Sequence, residues 1–324
     1  MIGDAEQEQV TAESSSSAPT RRLLARHLVG CGVELGPGHA PFSVLKPGTT
    51  VRYIDRWQPR DNRDLFPELG DAHFVKPDIV ADLNTERLTA LQDGSQDFVI
   101  CSHVIEHVAE PIGLIADVHR VLRPGGIALI LLPDRHRTFD RNRAPTSLGH
   151  LVAEFQAGVT EVDPEHLEEF VEQTGGSLGS TEAERTANIA LHLNRSIHVH
   201  CWDDEEFLPV LLYGIRNLGQ RWEFVDGMIA EDDGPVGMEF GFVLRVCDAD
   251  IRGEELAERF AAQWRVWRSS RLAQAQAFRD RDECQTRHRD ELNELTALRA
   301  RLDRIERRLP MRAYRFATKL LRGH

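Results

Sequence analysis

The chain has 324 residues, 41% hydrophobic and 28% charged, with a formal charge of −13. That length holds one domain of roughly 200–250 residues with an appendage, or two domains, and the acidic balance argues against a general nucleic-acid binder. Five scattered cysteines without C-x-x-C spacing exclude a disulfide scaffold and fit a reduced, cytoplasmic protein, and no run of about 20 apolar residues is present to span a membrane.

Residues 1–20 are acidic and Ser-rich, and read as a disordered leader rather than a signal peptide. The first apolar segment, GVELGPG at 32–38, predicts a short strand entering a glycine turn. TVRYID (50–55) predicts a second strand ending in an acid, DIVADL (78–83) a third and DFVICS (97–102) a fourth. In PIGLIADVHRVL (111–122), Ile112, Ile115, Val118, Val121 and Leu122 share one helical face. RPGG stops that helix, and IALILLP (127–133) is apolar throughout, as a buried parallel strand is.

Residues 134–200 interrupt the alternation with a His-, Asp-, Glu- and Arg-rich insertion, expected to lie over the carboxyl edge of the sheet. Residues 203–219 then predict a helix, with Pro209 as an awkward member, and two further apolar runs predict a closing antiparallel hairpin. Strands alternating with helices predict an α/β fold, a doubly wound, Rossmann-like, mostly parallel seven-stranded sheet.

From 251 the composition shifts to Glu, Arg, Ala and Leu. Leu295, Leu298, Leu302, Ile305 and Leu309 follow a 3, 4, 3, 4 spacing, a heptad seam about two repeats long. Residues 299–324 hold nine Arg/Lys and two acids, a net of 9 − 2 = +7. The expectation is a helical extension (251–324) with a short coiled coil and a basic amphipathic tail. It is a candidate for homodimer contact and for peripheral attachment to an anionic membrane.

CSHVIEHVAEP (101–111) raises a sharper question. His103, Glu106 and His107 spell H-x-x-E-H, a spacing seen in metallopeptidases. Such a motif belongs on a helix with a further carboxylate ligand downstream, whereas here it directly follows a buried strand. The turn Gly36-Pro37-Gly38-His39 also departs from G-x-G-x-x-G, which disfavours a dinucleotide dehydrogenase.

The series VELGPG, Asp55 after the second strand, Asp82-Leu83 after the third, then SQDFVICSHVIEHV and VLRPGG resembles the class I S-adenosylmethionine-dependent methyltransferases. Within them it is similar to the group that includes ubiquinone-pathway O-methyltransferases, and LPDRHRTFDRNRAPTSLGHLVAEF (132–155) with HVHCW (198–202) resembles glycan-associated bacterial methyltransferases. The resemblance covers residues 30–135 most strongly and implies a methyltransferase domain over 21–250. It implies that Glu34, Gly36 and Gly38 cradle the methionine part of S-adenosyl-L-methionine, that Asp55 binds ribose, that Asp82 and Leu83 bind adenine, and that Ser102 approaches the cofactor.

In relatives that methylate hydroxyls, E-x-x-E-H at this place binds a divalent cation. Glu106 and His107 match, and His103 replaces the first glutamate. The implied metal set is His103, Glu106 and His107, holding Mg²⁺, Mn²⁺ or Zn²⁺, with the histidine shifting preference toward nitrogen-tolerant ions. A wall without metal is the alternative. His103, His107, His198 and His200 are the candidate bases. SIHVHCW alternates, so on a strand His198 and His200 would face one side. Arg135, Arg137 and Asp140 are candidates to orient a polar substrate, against a solvated loop. The reading is an O-methyltransferase acting on a hydroxyl-bearing acceptor, a saccharide of a glycan or glycolipid. Its rivals are a small-RNA 2′-O-methyltransferase and a non-catalytic scaffold of a glycan-assembly complex.

Overall fold

The computed structural model describes residues 19–43, 47–174, 179–195, 197–247 and 251–308. Most of the leader, and the basic tail with Leu309, lie outside the described residues. One sheet organises the fold: β1 (Cys31–Leu35), β2 (Thr50–Asp55), β3 (Ile79–Val80), β4 (Gln96–Ser102), β5 (Leu122–Pro133), β6 (Trp222–Met228) and β7 (Glu239–Val246). Its seven strands run in the order β3-β2-β1-β4-β5-β7-β6. The first five pair in parallel, and β7 is antiparallel to both β5 and β6. The predicted sheet and hairpin are therefore present, although the third strand is only Ile79–Val80.

Strand order reverses between β1 and β4. Connections leave that point in opposite directions, which opens a crevice at the carboxyl ends of the strands. The pleat explains the burial around it. Along β5, Ala128, Ile130 and Leu132 enter one core layer, and Ile127, Leu129 and Leu131 enter the other. Full burial of each leucine or isoleucine there stabilises by about 1.5–3 kcal/mol. The first layer packs under α3 (Pro111–Val121) and α7 (Asp204–Asn217), and the second under Leu24 and Leu28 near α1 (Pro19–Leu24).

The helix ends follow local chemistry. Pro111 opens α3, where a missing N–H costs nothing, and the Glu110 side chain accepts from the Gly113 N–H. Register then slips: Leu122 pairs with Gln96 and Ile127 with Phe98, so Arg123-Pro-Gly-Gly126 bows out. Asp203 and Glu206 form a capping box at the start of α7, and the helix continues through Pro209.

Between β5 and α7 the insertion folds as α4 (Leu148–Ala157), α5 (Pro164–Gln173) and α6 (Glu182–Arg195). Leu167, Phe170, Val171, Ile197 and Val199 give it a small core of its own. Helix α2 (Pro59–Leu65) follows β2.

The compact unit runs to Arg271 rather than ending near 250. The reason is the start of α8 (Gly253–Arg308): Leu256, Phe260 and Trp264 are buried in the main core, where the sequence pattern indicated only an extension. Residues 272–308 form a separate helical unit, in which Leu295, Leu298, Leu302 and Ile305 are exposed. No described helix is long and apolar enough to cross a membrane.

Candidate functional site

A cavity of about 780 Å³ opens at the strand-order reversal. Gly36, Gly38, Asp55, Asp82 and Leu83 line it, and so do His103, His107 and His198. The glycine turn enters it because both glycines adopt positive φ, 55° at Gly36 and 50° at Gly38. A Cβ on Gly36 would lie 3.1 Å from Val104 Cγ2, whereas Gly38 faces open space. The turn is held from β2: the Gly36 N–H donates to the Ile54 carbonyl (2.8 Å) and the Gly38 N–H to Asp55 Oδ2 (3.3 Å).

Burial raises Asp55 above its ordinary value, against backbone hydrogen bonds from Trp57, Gly38 and Arg56. Asp82 pairs with Arg56 at 2.9 Å. Glu34 does not reach the cavity wall. It is buried, accepts the Phe42 N–H at 2.8 Å and leaves Oε2 without a hydrogen bond. Desolvation pushes it up to about 7, against the Phe42 hydrogen bond and Arg21. Ser102 ends β4, paired with Leu131, and is not among the lining residues.

The histidine end rests on a turn. His103 has φ 54° and leads into a short 3₁₀ turn, Ile105–His107. Its Nε2 is engaged outside the expected ligand set. His103 Nε2 lies 2.9 Å from Glu239 Oε2, and Arg21 holds the same carboxylate from its other side. Burial would lower His103, but the carboxylates of Glu106 and Glu239 outweigh it and raise it to about 10. Burial likewise opposes ionisation of Glu239, yet Arg21 and His103 hold it down to about 2.

Glu106 is fully buried, and neither of its carboxylate oxygens makes a hydrogen bond. His103 Nδ1 lies 3.5 Å and His107 Nε2 3.8 Å from Oε1. Burial disfavours its charge, but His103, His107 and His198 pull it below the ordinary carboxylate value. Its partners in a ligand cluster are His107 and His198, with one donor atom from each within 4.8 Å of the others. The three-residue set expected from the sequence thus changes by one member: His198 stands where His103 was expected.

Both histidines are oriented through Nδ1. His107 Nδ1 lies 2.9 Å from the Ile197 carbonyl, which accepts its proton. His198 Nδ1 lies 2.6 Å from Asp140 Oδ2. In the neutral ring this leaves Nε2 as the lone-pair nitrogen, the atom that binds a metal or accepts a proton. Burial lowers His107 below the ordinary imidazole value, with Glu106 opposing and His198 adding to the effect.

Other candidates go elsewhere. Residues 197–200 form no strand, and His200 is fully buried outside the cavity, facing His150 and His166. Burial, then His166 and His150, keep His200 well below the usual imidazole range, with the Ala109 backbone in partial opposition. Arg135 makes a two-pronged pair with Glu206, and Arg137 binds Glu231 and the Gly234 and Gly237 carbonyls. Asp140 holds His198 and Arg143. Sequence reading missed Glu239, which meets His103 across 136 positions of chain, and Arg21, which meets Glu239 across 218, with no local pattern to mark them.

Residues 29–130 match the methyltransferase domain family. This part of the chain is a class I S-adenosylmethionine-dependent methyltransferase domain. The chain is 30% identical over 149 residues to a ubiquinone biosynthesis O-methyltransferase of Xanthomonas oryzae pv. oryzae, covering 44% of this chain and 54% of that protein. It is 32% identical over 96 residues to a thiol S-methyltransferase of Homo sapiens, covering 29% and 39%. It thus spans about half the length, or less, of these curated relatives. Among solved structures it is similar to an S-adenosylmethionine-dependent methyltransferase from Aquifex aeolicus (TM-score 0.35, 13% identity, 75% of this chain and 99% of that one). It is also similar to the PH0226 protein of Pyrococcus horikoshii (TM-score 0.40, 15% identity, 76% and 93%). The methyltransferase domain carries the glycine turn, Asp55, Asp82 and the His103–His107 turn; His198 reaches the same cavity from the insertion.

Proposed function

We infer that the chain is an S-adenosylmethionine-dependent O-methyltransferase acting on a hydroxyl of a sugar, in a glycan or glycolipid, with a divalent ion held by Glu106, His107 and His198. The observation that carries this reading is the shared cavity: the glycine turn and the paired histidines line one space. The cofactor supplies a sulfonium methyl already activated for in-line displacement, so the protein's work is placement and proton removal. Gly36 and Gly38 would let backbone approach that ligand, Asp55 would offer a carboxylate to its ribose, and Leu83 would cover its adenine.

A bound divalent ion would lower the pKa of an acceptor hydroxyl. The donor set fits one, because Glu106 is a buried carboxylate with neither oxygen in a hydrogen bond, beside two imidazoles anchored through Nδ1, which leaves Nε2 as the ligand atom of each neutral ring. Two imidazoles with one carboxylate suit Zn²⁺, Mn²⁺ or Fe²⁺ better than Mg²⁺. Without the ion, His107, kept neutral by burial, would instead take the proton from the acceptor oxygen at Nε2. The insertion supports a saccharide: Asn188, His192 and Arg195 add polar groups to the wall, and Phe139 and Phe170 add ring faces.

Radiolabelled methyl transfer tests the proposal. Label should enter glycan extracts and not RNA, fall on chelation, and return with Mn²⁺ or Zn²⁺. Label confined to RNA, or absent from every glycan fraction, would overturn the acceptor assignment.

A further inference from the structure

A second histidine cluster lies outside the methyltransferase cavity. His150 and Glu154 stand one turn apart on α4, on the same face by their i,i+4 spacing. His166 lies in the first turn of α5, and His200 comes from the segment that also carries His198. Their polar atoms converge. Glu154 Oε1 is 2.9 Å from His150 Nε2 and 3.1 Å from His166 Nε2. The two imidazole nitrogens are 3.2 Å apart, and His200 Nε2 is 3.7 Å from Glu154 Oε2. A tetrahedral ion with bonds of about 2.0–2.1 Å holds its ligands roughly 3.3 Å apart. The spacings among His150, Glu154 and His166 scatter around that value, and His200 stands at the edge of this set, 3.7 Å from the second carboxylate oxygen.

Ordinary packing leaves this arrangement unsatisfied. His200 is fully buried, and neither ring nitrogen makes a well-aligned hydrogen bond; Glu154 Oε2 is buried and equally unbonded. Native cores seldom leave such groups unpaired, because each costs about 1–3 kcal/mol. An adjoining cavity of about 640 Å³ is lined by Glu161, Glu165 and Glu169 beside the histidines, so the approach is acidic and attracts cations.

We propose that His150, Glu154, His166 and His200 hold a structural divalent ion of the Zn²⁺ class in a closed four-ligand site. Three imidazoles and one carboxylate suit zinc, cobalt or nickel and not the oxygen-seeking Mg²⁺ and Ca²⁺. Four protein ligands leave no position for water or substrate, which marks the site as structural. The ion ties α4, α5 and residues 197–200 together. Its effect reaches the methyltransferase cavity through one carbonyl: Glu106 O accepts the N–H groups of Val199 (2.8 Å) and His200 (3.1 Å). Fixing His200 therefore fixes the backbone from which His198 and Glu106 project.

The test uses the full chain with His107→Ala, which disables the cavity-side cluster. Metal-stripped protein is equilibrated with Zn²⁺, and bound zinc is counted by elemental mass spectrometry. A Co²⁺-loaded sample is read for tetrahedral visible absorption. The His107→Ala chain should retain one zinc per chain and show the tetrahedral spectrum. Adding His150→Ala, or separately Glu154→Gln, should weaken zinc beyond the roughly 10–100-fold that losing an outer-shell partner costs. Circular dichroism confirms that each variant is folded. A folded His107→Ala chain that binds no zinc, or zinc retained at full affinity after both further substitutions, overturns the proposal. Neither readout depends on methyl transfer, so this site and the proposed reaction can fail separately.

Discussion

The rings of His107 and His198 meet edge to face, with centroids 4.9 Å apart and planes inclined at 68°. One comes from the turn after β4 and the other from the insertion, 91 residues later in the chain. Their Nδ1 atoms are anchored on the Ile197 carbonyl and on Asp140. With Glu106 beneath them, they form the part of the cavity able to handle a proton or a cation.

His107→Ala should remove that capacity while leaving cofactor binding intact. The expected loss in kcat is about 10²–10⁴-fold, the usual contribution of a positioned acid or base. Steady-state kinetics combined with cofactor titration checks it. An equal loss of cofactor affinity would place His107 in the binding wall instead.

The acid limb of activity should follow the same residue. Burial holds His107 below its ordinary 6.5. Nε2 is therefore unprotonated at neutral pH, and activity should fall only below about pH 6.5, the unperturbed imidazole value. The pH profile of kcat, measured on wild type and His107→Gln, tests the assignment.

Much of the sheet was legible beforehand. Runs such as IALILLP can be buried on both faces only as a central strand, and the acids at 55 and 82 fall where their strands end. The histidine end was legible only in part. His198 and His200 alternate in sequence, but residues 197–200 form no strand, so period-two reasoning placed both rings on one side when they enter separate clusters. His103 was misread for a different reason: its partner Glu239 lies on β7, and only the sheet order brings that strand beside β5.

That pairing gives a stability prediction. His103 is raised to about 10 from 6.5. The folded state holds its proton more tightly than the unfolded chain does, so the contribution is full below pH 6.5 and is lost as pH rises through about 10. The melting temperature should decline across that interval, and His103→Ala should flatten the decline. An unchanged slope in the variant would remove His103 from the explanation.

Arg143 should matter to folding more than to chemistry. It is buried, bonds Asp140 Oδ1 at 2.8 Å, and donates to the His198 and Val199 carbonyls at 2.7 and 3.0 Å. Arg143→Ala leaves Asp140 charged and short of a partner, and breaking a buried pair in this way costs about 3–5 kcal/mol. Denaturant unfolding should show a loss of that size.

The glycine turn carries the central claim, that residues 29–130 bind S-adenosylmethionine. A side chain on Gly36 would need left-handed backbone, at about 1–2 kcal/mol, with its Cβ 3.1 Å from Val104 Cγ2. Isothermal titration of S-adenosylhomocysteine into wild type and Gly36→Ala is the most direct measurement. Wild type should bind with a Kd of about 1 μM or below, and Gly36→Ala about tenfold or more weakly, since about 1.4 kcal/mol is a factor of ten. Absence of binding by the folded wild-type chain, or equal affinity in the variant, would contradict it.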